Sequence, residues 1–227
     1  MLYCLLFALT FGNVDYAKIF GEDYQQAVEW LAQHHTKFEE KAAEYGLAAH
    51  DLKSIVFPEL IRYSQFSDFF ETKALELAYI QGGKDVADFS IGHFQMKPSF
   101  VEMLETNVVQ LPKSMRTNFF KIAAYPEVTI KEKRALRLKR LQTIEWQLDY
   151  LCCFYRLVQG RFLGELVSKS EEERIKFLAT AYNCGFMRSF ESIENCGKKA
   201  SYPYGTRYPA TEQYMYADVA VDYFKKK

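Results

Sequence analysis

Three short segments carry residue types that could do chemistry together. Glu59 stands in Ile55-Val56-Phe57-Pro58-Glu59-Leu60-Ile61-Arg62, a carboxylate among apolar side chains at the end of a helical pattern. Burial disfavours an ionised carboxylate, so its pKa rises and the proton stays on near neutrality. Such a carboxyl can act as a general acid and protonate the oxygen of a departing sugar. The plain alternative is a solvated Glu59, or one paired with Arg62. The second segment is Ser90-Ile91-Gly92-His93-Phe94-Gln95-Met96-Lys97-Pro98. Gly92 lets a ligand approach the backbone, and Gln95 offers both a donor and acceptors, as an acetamido group requires. The third is Ala181-Tyr182-Asn183-Cys184-Gly185 at a helix end, whose plain alternative is a C-cap with a buried tyrosine.

These segments need rigid supports, and the hydrophobic pattern supplies helices. Ala27, Trp30, Leu31, His34, Phe38 and Ala42 recur at three- and four-residue steps, predicting a helix over 23–45 that stops at Gly46. A second helix starts near Asp51, with a kink or an early end expected at Pro58. A third runs around Glu71 to Tyr79 and ends at Gly82-Gly83. Residues 82–98 read as a loop or short strand, with Ser99 as the cap of the helix beyond Pro98. A long basic amphipathic helix is predicted over 130–159. Ser170 and Glu173 make a capping box for a helix running to Gly185. Thr211 is expected to open a last helix carrying Tyr214, Ala217, Val221 and Phe224. Sustained strand alternation is nearly absent, so the expected architecture is mainly α, in one compact domain.

In their order, the segments resemble the lytic transglycosylases of the lysozyme-like superfamily, which cleave the glycan strand of peptidoglycan. The matching positions are Glu59 at a helix end, Gly92 with Gln95 and then Pro98, Ala181 to Gly185, and the late Tyr214 in Thr-Glu-Gln-Tyr. The likeness covers about residues 50–224. His93-Phe94 stand where the family has Leu-Met, Leu60 follows the acid where a Ser is usual, and Ser90 lies too near the Gly to match the family's intervening Ser. The stretch 62–89 is longer than usual and makes Glu71 and Glu76 rival acids.

The resemblance implies a lysozyme-like fold with minimal β structure. It also implies a one-carboxyl mechanism in which Glu59 protonates the bond between N-acetylmuramic acid and N-acetylglucosamine. The same group then takes the proton of the muramic C6 hydroxyl, closing a 1,6-anhydro ring. Gly92, Gln95, Tyr182, Asn183 and Tyr214 would bind or position the sugar, with His93 lining the groove or serving the structure. Peptidoglycan is the implied partner, the chain is expected to be a monomer, and no cofactor or metal is implied. A hydrolytic muramidase or chitinase-like enzyme on this scaffold would need a base for water, which Asp85 or Asp88 could supply. A non-catalytic glycan-binding protein is the third reading.

Charge and composition narrow the field. With 29 basic against 29 acidic residues the formal net charge is zero, which disfavours bulk attraction to nucleic acid. Lys131, Lys133, Arg134, Arg137, Lys139 and Arg140 offer a basic stretch, but such runs on a helix are usually solvated faces. His34-His35 point to different sides of a helix and lack a carboxylate cluster for a metal. The first twelve residues, MLYCLLFALTFG, read as a signal peptide without a basic flank, with cleavage near Ala17 and the mature domain over 18–227. Export to the periplasm or envelope is therefore expected, the alternative being a buried N-terminal strand or helix start. Cys152, Cys153, Cys184 and Cys196 lack metal-site spacing; Cys184 and Cys196 could close a disulfide, or all four could be buried thiols.

Overall fold

Helix α3 (Ala49–Tyr63) is enclosed along most of its length: every residue from Leu52 to Ile61 is buried, Lys53, Ser54 and Glu59 included. The computed structural model describes residues 14–63, 69–126, 129–203 and 212–226, with the backbone alone over 69–72. Five helices surround α3: α1 (Tyr16–Gln33), α2 (His35–Tyr45), α8 (Ile144–Arg161), α10 (Glu171–Cys184) and α12 (Tyr216–Lys225). A helix buried on all sides needs apolar residues on all sides, as the run Ile55-Val56-Phe57 provides.

Pro58 does not end α3, so the early stop expected as one alternative from sequence does not occur. It removes one N–H from the helix ladder, yet α3 runs on to Tyr63 inside its ring of neighbours. Two tyrosines bond to carbonyls in this stretch. Tyr202 donates to the Pro58 carbonyl at 2.6 Å and Tyr216 to the Ile55 carbonyl at 3.1 Å.

A second group of helices flanks α8. Helix α4 (Phe69–Gly82) packs on α7 (Ile130–Leu141). Helices α5 (Pro98–Asn107) and α6 (Lys113–Ala123), joined through a 3-10 turn at Val108–Gln110, pack on α8. The short helices α9 (Leu163–Leu166) and α11 (Phe190–Cys196) complete the order. Strand structure among the described residues is two isolated antiparallel bridges, Ile91 with Met96 and Tyr202 with Tyr214. One continuous apolar core runs through the molecule. The chain is mainly α and forms a single compact unit. No helix among the described residues is long and apolar enough to cross a membrane.

Several boundaries differ from the expected ones, each for a local reason. The helix over 23–45 is two helices divided at His34, whose ring stacks on Trp30 at 3.9 Å and whose Nδ1 lies 2.8 Å from the Trp30 carbonyl. The long basic helix divides at Gln142–Thr143, where extended Thr143 turns its hydroxyl onto the Arg140 carbonyl at 3.1 Å. Lys97, not Ser99, precedes the first turn of α5. Asp88 instead accepts from the Ser99 N–H at 3.0 Å and from its hydroxyl at 2.8 Å. Thr211 lies outside the described residues. The last helix begins at Tyr216, because the backbone of Tyr214 is bonded to Tyr202 at 2.6 and 2.9 Å and so is extended. The Ser170–Glu173 capping box and the left-handed stop at Gly46 are where the pattern put them.

The folded unit begins before Ala17. The Asp15 side chain accepts from the Lys18 N–H at 3.1 Å, and Tyr16 is buried with its ring against Phe20 and Tyr214. Ala17 and Lys18 thus lie within the first turn of α1. The basic stretch is bonded inward at three arginines. Arg134 reaches the Ile80 and Gln81 carbonyls, Arg137 pairs with Glu105 at 2.6 Å, and Arg140 donates to the carbonyls of Ile122 and Ala124.

Candidate active site

The turn from Ile91 to Met96 is closed by two backbone bonds of 3.0 and 3.1 Å. Two residues in it have positive φ: Gly92 at 68° and Gln95 at 49°. A left-handed conformation strains a residue with a Cβ, so its occurrence at Gln95 marks a backbone held by its surroundings. The holder is Gln147 of α8, 1% exposed. Its Oε1 accepts from the Phe94 N–H at 3.0 Å, while its Nε2 donates to the Leu141 carbonyl and, at 3.4 Å, to the Ile91 carbonyl. A Cβ on Gly92 would stand 1.6 Å from that Nε2. Gly92 thus serves the close approach of α8 to the turn.

Tyr182 of α10 secures the other side by donating to the Phe94 carbonyl at 2.6 Å. Burial, with the Glu59 charge added, pushes its phenol well above the ordinary range. A row of rings flanks the turn: Tyr63 lies 4.3 Å from His93, His93 lies 4.5 Å from Trp30, and Trp30 stacks on His34. Burial, and then the His34 charge, pushes the His93 imidazole down to about 4. His93 is therefore neutral at pH 7.

Against this turn α3 presents Glu59. A cavity of about 300 Å³ is lined by Glu59, Arg62, Gln95, Lys97, Tyr182 and Asn183, with Ser90, Met96 and Phe100 closing its walls. Glu59 is 5% exposed, and burial raises its carboxyl to about 7 against the opposing pull of Arg62, the Tyr216 hydroxyl and Lys97. The Arg62 guanidinium is 3.5 Å from Oε2. The Tyr216 hydroxyl, 3.1 Å from the Ile55 carbonyl, also stands close enough to Glu59 to favour its carboxylate. The arrangement can hold a proton at neutral pH and, through Arg62, stabilise the carboxylate left when the proton is given away.

Size alone does not single out this cavity. One of about 380 Å³ is lined by Asp51, Tyr155 and Arg174, where Tyr155 donates to Asp51 at 2.9 Å.

Of the residues singled out from sequence, Glu59, Gly92, Gln95, Tyr182 and Asn183 come together here, Gly92 through the turn behind the wall. Tyr214 does not line the cavity. Its ring lies edge-on to Tyr16 at 5.5 Å and Phe20 at 5.9 Å, and the late tyrosine that acts on Glu59 is Tyr216.

Among the rival acids, Glu76 bonds to Gln142 at 2.7 Å and Lys73 at 3.0 Å away from the cavity, and the Glu71 side chain lies outside the described residues. Asp88 is bound to Ser99, and Asp85 is exposed and not in the lining. Among the described residues Glu59 is the one carboxylate that lines this cavity. No group of three metal-ligating side chains occurs among them; His35 instead meets Lys53 at 2.7 Å. Cys152 and Cys153 are buried free thiols. Burial, and then Cys196, pushes the Cys184 thiol up to about 12.

Sequence reasoning missed Arg62 and Lys97 as parts of the site, and Tyr216. Arg62 was visible as a cation one turn from Glu59, and Tyr216 as a second tyrosine two residues past Tyr214. Nothing local marked Lys97.

No family model, curated protein or solved structure matches this chain.

Proposed function

We propose that this protein is a peptidoglycan lytic transglycosylase of lysozyme-like architecture, exported to the periplasm or cell envelope by the apolar segment ahead of Asp15. The observation that carries the reading is Glu59: one buried carboxyl lining a polar cavity, with its pKa near 7. Lytic transglycosylation needs one such group in two successive roles.

Glu59 would protonate the glycosidic oxygen between N-acetylmuramic acid and N-acetylglucosamine, and the C1–O bond would break. The substrate's own N-acetyl oxygen stabilises the cationic anomeric carbon. Glu59, now a carboxylate beside Arg62, takes the proton of the muramic C6 hydroxyl while that oxygen closes onto C1. The proton returns to Glu59 and no water is consumed. Gln95 and Asn183, both in the lining, suit the amide and hydroxyl groups of an acetamido sugar. Tyr182 holds the turn that carries Gln95.

Mass spectrometry of soluble fragments, after the purified protein meets peptidoglycan, tests the reading. Anhydro-muropeptides lighter by one water than hydrolysis products, missing with Glu59→Gln, are expected. Reducing-end fragments from the wild type would make the enzyme a hydrolase. Binding without products from a folded wild type would make it a glycan-binding protein.

A further inference from the structure

Cysteines 152, 153, 184 and 196 are all free thiols. Cys152 and Cys153 are adjacent on α8 and fully buried, which shields them from reagents in the folded chain. Cys184 and Cys196 differ on both counts. Each is half-buried, and their side chains are hydrogen-bonded to each other.

The contact has a cause in the packing. Cys184 is the last residue of α10 and Cys196 the last of α11, and the two helices lie against each other. Their approach is tight at Gly197, where a Cβ would stand 3.0 Å from the Thr180 hydroxyl oxygen. Thr180 is one turn before Cys184 on α10, and Cys196 is the residue before Gly197. The Cys196 side is also open to reagents. It lines a surface cavity of about 310 Å³ with Arg188, Ser189, Glu191, Asn195 and Lys199.

We propose that Cys184 and Cys196 are a thiol–disulfide exchange site whose closure clamps α11 onto the end of α10. The reagent it takes is a disulfide, either a small one or that of an oxidoreductase. Cys196, in the surface cavity, meets the reagent. Its thiolate attacks one sulfur of the incoming disulfide, that S–S bond breaks, and the first thiol leaves. Burial, and then Cys196, push the Cys184 thiol up to about 12, so Cys184 keeps its proton during this step. Capping Cys196 removes the second of those causes. Cys184 then attacks the Cys196 sulfur as a thiolate, forming the internal bond and expelling the second thiol. Two cysteine thiols are oxidised, one external disulfide is reduced, and the two protons go to the thiols released.

The clamp acts beside the Glu59 cavity. Asn183, in its lining, immediately precedes Cys184, and Tyr182, which holds the turn carrying Gln95, is one residue further back. Closure ties this last turn of α10, where a helix frays most readily, to a second helix. The inference holds whichever reaction Glu59 performs.

The full chain, equilibrated with reduced and oxidised glutathione over a range of ratios, tests this. After an acid quench, alkylation in denaturant and trypsin digestion, the two cysteines fall on separate peptides, 177–188 and 189–198. In oxidising buffer mass spectrometry should find these peptides joined, two hydrogens lighter than their sum. In reducing buffer both should be alkylated, and Cys152 and Cys153 should be alkylated in either. The oxidised chain should melt roughly 6–12 °C above the reduced one, while Cys196→Ser melts at one temperature in both buffers.

Alkylation of both peptides at every ratio, glutathione retained on Cys196 without closure, or linkage to another cysteine overturns the pairing. A joined species that melts with the reduced chain overturns the clamp. The wild-type chain in its two redox states decides both points, even if Cys196→Ser does not fold.

Discussion

Glu59 is a group whose natural charge its surroundings oppose. Its ordinary value is 4.5, and burial lifts it to about 7. Between those values the folded chain keeps a proton that the unfolded chain has released. The native state therefore loses stability as pH rises from about 4.5 through 7, then levels off, a total on the order of 3 kcal/mol. Glu59→Gln carries no such dependence. Urea unfolding should show the variant's stability relative to wild type climbing by about 3 kcal/mol from pH 4 to pH 8. A difference flat with pH would mean that Glu59 titrates normally. Turnover should decline above pH 7, as the donor proton is lost. Sequence made this residue legible because its apolar neighbours in the chain are also its neighbours in space. Tyr216 was not legible by that route, since it reaches Glu59 from another helix 157 positions away in the numbering.

At the scale of elements, the turn from Ile91 to Met96 acquires its shape from α8. Gly92 needs a positive φ and has Gln147 where a side chain would go, so Gly92→Ala should lower stability by about 2–4 kcal/mol and reduce activity further by moving Gln95. Gly160, also a glycine but within α8 and with open space around it, is the control. There Ala should leave stability unchanged or raise it by up to about 1 kcal/mol. Chemical denaturation of both variants checks the contrast; equal effects would remove the steric argument. The elements show where pattern reading works and where it stops. Helix α10 was legible to its caps, because Ser170, Glu173 and Gly185 act on their own turns. The divisions at His34 and Thr143 were not, because helical periodicity runs through both positions while the bends are marked by side-chain bonds back to the preceding turn.

For the whole molecule, α3 is a buried axle whose neighbours come from both ends of the chain. Helices α1 and α12 both pack on it and meet at the Tyr16, Phe20 and Tyr214 rings. A chain starting at Lys18 loses the Asp15 cap and the buried Tyr16 ring. It should unfold with roughly 3 kcal/mol less stability than one starting at Val14. Thermal melting of the two compares them directly; equal midpoints would show that the first turn of α1 contributes nothing. The helical class could be read from sequence because each helix repeats its own period. Which helices surround α3 could not, since burial on every side erases the amphipathic stripe that would indicate a partner.

The row of rings beside the turn gives the molecule an optical property. Of its two tryptophans, Trp146 lies under the Arg140 guanidinium, while Trp30 is in ring contact with both His34 and His93 next to the Gly92 turn. Indole emission depends on what touches the ring, and a protonated imidazole quenches it. His93 is uncharged down to about pH 4, so across the neutral range His93 acts on the light from Trp30 through its position rather than its charge. A ligand that shifts the turn to reach Glu59 changes that emission, and the protein reports the event with no label attached.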